Sequence, residues 1–346
     1  MPIVSEPNLR KITEQNQLSG LYLLYGEEPY LVSQWANRII KKAVGKDASD
    51  FNFQRFSGDV SADDLGDASE ALPFMADKKC VAVSDLTLDG RTPNEMKKLE
   101  QLISEVPETT VLLIYQLSPN ILSTKDKKWK KILDLCKKDG TVVTFPRKSQ
   151  QELSKILCTG ASKRNCMLSK FNADKIIASA GTDLSTLLQE LEKLCAYTGE
   201  GEITKETIDQ LVTKTLEVRI YDLSKWILAG NYDKAYLLLD QLFAQNVEPI
   251  SLLSVLSGTY MDLYRVRSAI ENGNRALDVG KYFDYSRREF VLTRAEREVR
   301  NLSMSVLRKS LDVLEKADLA LKSSRGNRRI ILEKTLAELL LTAKGD

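Results

Sequence analysis

LYLLYGEEPYLV, residues 21–32, sets an apolar run from Leu21 to Tyr25 against a glycine, Gly26, and then a helix-like segment from about Tyr30. A strand that ends in a glycine turn and passes into a helix is how a phosphate-binding loop begins. In such a loop glycines let backbone N–H groups close around the phosphates, a lysine neutralises the outer ones and a hydroxyl holds magnesium. After Gly26, however, the chain reads Glu27, Glu28, Pro29, Tyr30. Two carboxylates stand where phosphate would sit, each repelling it by something on the order of 1 kcal/mol. Pro29 removes a backbone donor as well. The stretch therefore reads as the frame of a nucleotide-binding fold without its phosphate chemistry, with Gly26 making a turn and the following residues starting a helix.

Outward from this stretch, the first 145 residues alternate in character. Apolar, β-favouring runs stand at 21–25, 80–86, 109–116 and 140–145, separated by helical patterns such as 30–44 and 127–140. Continuous apolar strands divided by helices indicate a parallel sheet covered on both faces. Pro146 and the helix-start chemistry of FPRKSQQEL then open a helical unit. Leu184, Leu187, Leu188, Leu191, Leu194 and Cys195 line one face of a helix capped by Thr182 or Asp183, and a short helix at 204–212 ends the unit. From 213 onward every segment carries a helical stripe, broken at Gly230-Asn231, Asn246 to Pro249 and Gly273-Asn274. The expected organisation is an α/β domain over 1–145, a small helical domain over 146–212 and a helical bundle over 213–346.

Composition narrows the chemistry. The 346 residues carry 50 Lys and Arg against 48 Asp and Glu, so attraction to nucleic acid must come from local patches. With no histidine, the commonest general base, the usual zinc ligand and every Ser-His or Cys-His pair are absent. The five cysteines, at 80, 136, 158, 166 and 195, contain no C-x-x-C pair and read as reduced thiols. No apolar stretch is long enough to span a bilayer and the N-terminus lacks the apolar core of a signal peptide, so a cytoplasmic protein is expected. Asp85 could mimic a metal-holding acid but has no phosphate loop beside it. Asp63-Asp64 and Glu190/Glu192 are expected on solvent faces, and no catalytic, cofactor or metal site emerges.

The order of parts, together with YLLYGEEPYLV, ALPFMADKKCVAVSDL (71–86), TDLSTLLQELEKLCAYTGEGEITKETIDQLV (182–212), the 220–256 stretch and ADLALKSSRGNRRIILEKTLAEL (317–339), resembles the delta subunit of the bacterial DNA polymerase III clamp loader. The resemblance spans all three parts. It implies an AAA+-like α/β domain lacking the P-loop, a small helical lid, and a C-terminal helical collar. It also implies a subunit that binds no ATP, joins the gamma/tau motor subunits and delta-prime through the collar, and opens the ring of the sliding clamp for loading onto primed DNA. Polymerase activity would belong to the holoenzyme, with no catalysis in this chain.

The resemblance places the clamp-binding element at LPFM, with Phe74 and Met75 as adjacent apolar anchors on a short helix and Leu72 and Pro73 before them. On the residues alone, Phe74 and Met75 read rather as core under the following strand, and it is the resemblance that turns the reading toward an exposed anchor. Two basic clusters stand out, Lys125, Lys127, Lys128, Lys130, Lys131, Lys137 and Lys138 on one helix and Lys322, Arg325, Arg328 and Arg329 near a bundle loop. The first reads as a solvated face or a phosphate contact; the resemblance gives the second a possible role against primer–template DNA. An ATP-hydrolysing motor or helicase loader would need the missing lysine and hydroxyl. A non-replicative scaffold of the same architecture would need a different partner.

Overall fold

The computed structural model describes residues 4–14, 18–45, 49–118, 126–285, 289–323 and 326–344. They fall into two compact units, Met1–Asp174 with Thr182–Ile203, and Lys175–Gly181 with Thr204–Asp346.

The first unit opens with α1 (Glu6–Glu14), β1 (Gly20–Gly26), α2 (Pro29–Val44), β2 (Phe53–Ser57), α3 (Ala62–Glu70) and β3 (Lys79–Ser84). It goes on through α4 (Pro93–Ser104), β4 (Thr110–Tyr115), α5 (Lys127–Asp139) and β5 (Gly140–Phe145). The expected parallel sheet is present, its five strands in the order β2-β3-β4-β1-β5. Alternation along the strands divides the core between two faces. Leu21, Leu23, Val81, Val83, Leu112, Ile114 and Val142 pack with residues of α3, α4 and α5, including Leu65, Leu99, Ile103 and Ile132. The buried side chains of alternate register, among them Tyr22, Leu24, Leu113 and Val143, belong to the other face, and α2 runs against β1, β3, β4 and β5.

β2 is absent from the sequence reading. It is an edge strand of half-buried and exposed residues around Gln54 and Arg55, so it lacks the continuous apolar run that marks the other strands.

The rest of the first unit contains α6 (Gln150–Ser162), β6 (Cys166–Met167), the start of α7 (Lys170–Ala180), α8 (Leu184–Thr198) and β7 (Gly201–Glu202). Ser149 and Glu152 form a capping box that starts α6 where the sequence indicated. β6 and β7 pair as a two-stranded parallel sheet, which no periodicity over two residues could signal. Asp183, rather than Thr182, caps α8 by accepting from the Thr186 amide. The expected stripe is buried at Leu184, Leu187, Leu191, Leu194 and Cys195. Glu190 corrects the sequence reading: it is buried beside Leu191 and paired with Lys193, because its position falls on the same helical face as Leu187 and Leu194.

The second unit holds the end of α7, then α9 (Lys205–Leu211), α10 (Leu216–Leu228), α11 (Tyr232–Ala244), α12 (Pro249–Glu271), α13 (Glu289–Glu298), α14 (Met304–Ser323) and α15 (Arg328–Lys344). Short 3-10 turns lie at Ala276–Lys281 and Val299–Asn301. Its core runs through Leu223, Leu239, Leu253, Tyr260, Leu307, Leu314, Leu336 and Leu340. Among the described residues no strand follows β7, and no helix is long and apolar enough to cross a membrane.

Candidate functional site

The turn after β1 shows what became of the phosphate cradle. The Phe145 carbonyl accepts the Glu27 amide at 2.8 Å and the Glu28 amide at 3.2 Å. Pro29 supplies no donor and stands at the first position of α2. The Glu28 side chain is buried and its Oε1 accepts the Lys148 amide at 2.9 Å. Lys148 Nζ in turn donates to Glu6 at 3.3 Å, and Glu6 accepts from the Trp35 indole at 3.3 Å. The amides that would surround a phosphate are thus tied to β5, and of the two carboxylates after Gly26 that of Glu28 is part of the packing, while Glu27 stays exposed.

Asp85, the residue after β3, is engaged in a similar way. Its backbone takes φ +50°, and its Oδ1 accepts the amides of Leu117 at 2.8 Å and Ser118 at 2.9 Å. The carboxylate organises the loop after β4. Among the described residues no cluster of His, Cys, Asp or Glu could hold a metal. Burial pushes the Cys80 and Cys136 thiols up to about 12, which leaves them protonated and inert near neutrality.

The segment between α3 and β3 has the opposite character. Leu72, Phe74 and Met75 are 81, 56 and 93% exposed, and Pro73 is half-buried. The core reading of Phe74 and Met75 is thereby set aside. The short helix implied by the resemblance is replaced by consecutive bends. Met75 lies in the left-handed region at φ +50°, which stops a helix from propagating. Phe74 exchanges hydrogen bonds with a side chain instead of with a helical turn: its amide donates to Asn52 Oδ1 at 2.7 Å, and its carbonyl accepts from Asn52 Nδ2 at 2.8 Å.

Both ends of this loop are held. Ala71 closes α3 by donating its amide to Asp67 at 3.2 Å, while the Lys78 ammonium donates to the Leu18 carbonyl and the Lys79 amide to Thr109. Phe51, 70% exposed, sets its ring 5.4 Å from that of Phe74. Sequence reasoning missed Phe51 and Asn52. Their signal, an aromatic next to an asparagine before a short strand, is indistinguishable from ordinary turn chemistry. The result is an apolar surface at the N-terminal ends of β2 and β3, the end of the parallel sheet opposite the turn after β1.

The basic clusters are largely engaged. Lys322 pairs with Asp318 at 2.7 Å, Arg328 with Glu248 at 2.9 Å, and Arg329 with Glu333 at 2.7 Å and also with Asp240. All three are exposed, whereas Arg325 lies outside the described residues. On α5, Lys128 donates to the carbonyls of Leu88 and Arg91, both at 3.1 Å, and Lys131 pairs with Glu100 at 2.7 Å. Lys125 is also outside the described residues.

Residues 22–145 match the family described as DNA polymerase III, delta subunit, and residues 217–339 match the DNA polymerase III delta subunit, C-terminal domain. The chain is 25% identical over 340 residues to the DNA polymerase III subunit delta of Bacillus subtilis strain 168, covering 95% of each. It is 22% identical over 304 residues to the probable DNA polymerase III subunit delta of Aquifex aeolicus strain VF5, covering 83% of this chain and 84% of that one. Among solved structures, the Bacillus subtilis DNA clamp loader delta protein superposes with a TM-score of 0.61 at 23% identity, over 96% of this chain and 98% of its own, a likeness of fold. With both family models matched and together covering most of its length, the chain belongs to the DNA polymerase III delta subunit family.

Proposed function

We propose that this chain is the clamp-loader subunit that grips the ring-shaped sliding clamp and opens it for loading onto primed DNA, with no nucleotide site or catalysis of its own. The observation that carries this reading is the loop before β3, where Leu72, Phe74 and Met75 are 81, 56 and 93% exposed on a backbone anchored at both ends. An aromatic ring and a flexible thioether docked in a groove each contribute about 1.5–3 kcal/mol of apolar burial. Those side chains have no such burial in the chain by itself. An ATP-driven motor would need the amides that Phe145 holds, so control by nucleotide belongs to the neighbouring gamma/tau subunits, reached with delta-prime through the C-terminal bundle.

DNA contact is assigned to the exposed basic residues Lys322, Arg328 and Arg329, with Arg325 between them in sequence. Their ion pairs are on the surface and worth at most about 1 kcal/mol each, so phosphates can exchange with the carboxylates at small cost. The work is done in the cytoplasm, at the replication machinery.

The experiment is the double substitution Phe74→Ala, Met75→Ala, followed by co-elution with purified sliding clamp. Loss of the complex with an unchanged circular dichroism spectrum and Tm is expected. Clamp affinity equal to that of the unsubstituted protein would overturn the reading and leave a scaffold of the same architecture serving another assembly.

A further inference from the structure

We propose that Asn52 is the positioning residue of the docking loop, its carboxamide holding the Phe74 backbone in the conformation that presents the Phe74 and Met75 side chains. The inference rests on the docking role given above to those two residues.

A loop without helical or ladder hydrogen bonds samples many conformations, and an apolar side chain on it gains by folding back onto the protein. The structure opposes this with one buried side chain. A carboxamide carries a donor and an acceptor side by side, matching the C=O and N–H of a single residue, and Asn52 uses both on Phe74 at 2.8 and 2.7 Å. Leucine, of similar size, could make neither bond, and aspartate could accept from the amide but would turn a second oxygen toward the Phe74 carbonyl. Asn52 is itself fixed, since its carbonyl accepts the Cys80 amide at 2.8 Å and its amide donates to Ser49 at 2.9 Å. The Phe53–Cys80 register begins one residue on, so the position of Phe74 is referred directly to the β2–β3 ladder.

Two neighbours bear on the same point. Met75, with φ +50°, is held in a conformation that residues with a side chain disfavour, and this persists only where the surroundings impose it. The bonds to the preceding residue are such an imposition. Phe51, adjacent to Asn52, places its ring at 5.4 Å and 44° to that of Phe74 and limits the rotations open to it. A loop fixed in its bound form loses less conformational freedom on docking, so its complex is tighter without any added contact with the partner.

The test uses the whole chain and purified sliding clamp. Asn52→Ala is expected to weaken clamp binding about tenfold, the equivalent of two modest hydrogen bonds. Hydrogen exchange at the Phe74 amide, measured on the protein alone, should lose its protection in the same variant. In a Phe74→Ala background the added loss should shrink, because Asn52 acts through the loop; an equal, additive loss would mark a general effect on the fold and overturn the inference. If the alanine variant is unstable, the near-isosteric Asn52→Asp carries the same measurements. Unchanged clamp affinity in the Asn52 variants, with binding still lost in Phe74→Ala, Met75→Ala, would overturn the positioning role alone. If that double variant binds normally, the docking reading falls and this inference with it.

Discussion

Gly26 lies opposite Phe145 in the β1–β5 register, and a Cβ built on Gly26 would fall 2.2 Å from the Phe145 carbonyl oxygen. The same oxygen receives the Glu27 and Glu28 amides. The glycine of the opening stretch is therefore required by close approach of two strands, where a phosphate loop would require it for a ligand. Its φ of +152° adds a conformational demand that a side chain resists. Gly26→Ala should destabilise the first unit by roughly 2–4 kcal/mol, through steric displacement of β5 and loss of the two amide bonds. Urea unfolding monitored by circular dichroism measures it; a loss below about 1 kcal/mol would mean that the turn relaxes freely.

Tyr260 is wholly enclosed in the core of the second unit, and its hydroxyl has no hydrogen-bond partner among the described residues. Burial raises its phenol far above the ordinary range. An unpaired buried hydroxyl opposes folding, and its removal leaves the ring packing in place. Tyr260→Phe is accordingly expected to raise stability by about 1 kcal/mol, read as an increase in the urea midpoint at constant m-value. A decrease would show that the hydroxyl finds a partner in solution.

Asp278 holds the 3-10 turn at Ala276–Lys281. The Lys281 ammonium at 2.9 Å, the Arg275 amide at 3.0 Å and the Arg275 guanidinium lower its carboxyl from 3.8 to about 2. Since the folded value lies below the unfolded one, ionised Asp278 stabilises the protein above about pH 4, and that contribution disappears as pH falls toward 2. Asp278→Asn should lower Tm at pH 7 and approach the unsubstituted protein at pH 2. Melting curves for both proteins across this range decide it; a difference independent of pH would assign the effect to packing.

The fold was legible in the sequence wherever burial was one-sided or complete. β1, β3 and β4 lie inside the sheet, are buried along most of their length and read as apolar runs, while β5, an edge strand, still shows the β-favouring TVVTF with Val142, Val143 and Phe145 buried. The helices of the C-terminal bundle bury stripes that their spacing already displays. β2 escaped because an edge strand with Gln54 and Arg55 has no such signature. Glu190 was misplaced because residue type was weighed above helical position, which puts it on the buried face of α8.

The site was legible in part. LPFM stood out through family resemblance, while its exposure, its bent backbone and the left-handed Met75 are tertiary facts. Asn52 reaches Phe74 across 22 residues of sequence, and no local pattern encodes a bond of that span. The basic residues near the bundle loop were visible as charges, but their partners Asp240 and Glu248 are supplied by α11 and the residue before α12.

Strand polarity has a mechanical meaning. A pull applied at Phe74 passes through the Asn52 carboxamide to the Asn52 carbonyl and the Cys80 amide, and so into β3, which is flanked by β2 and β4. Force directed along a strand loads many ladder bonds together, in shear, instead of peeling them apart singly. At the far end, β1 and β5 are tied by Phe145 and contain no loose nucleotide loop to yield. In the proposed clamp-opening role, a sheet loaded in this way would act as a stiff shank, and work done at its tip would deform the softer partner against which it is pressed.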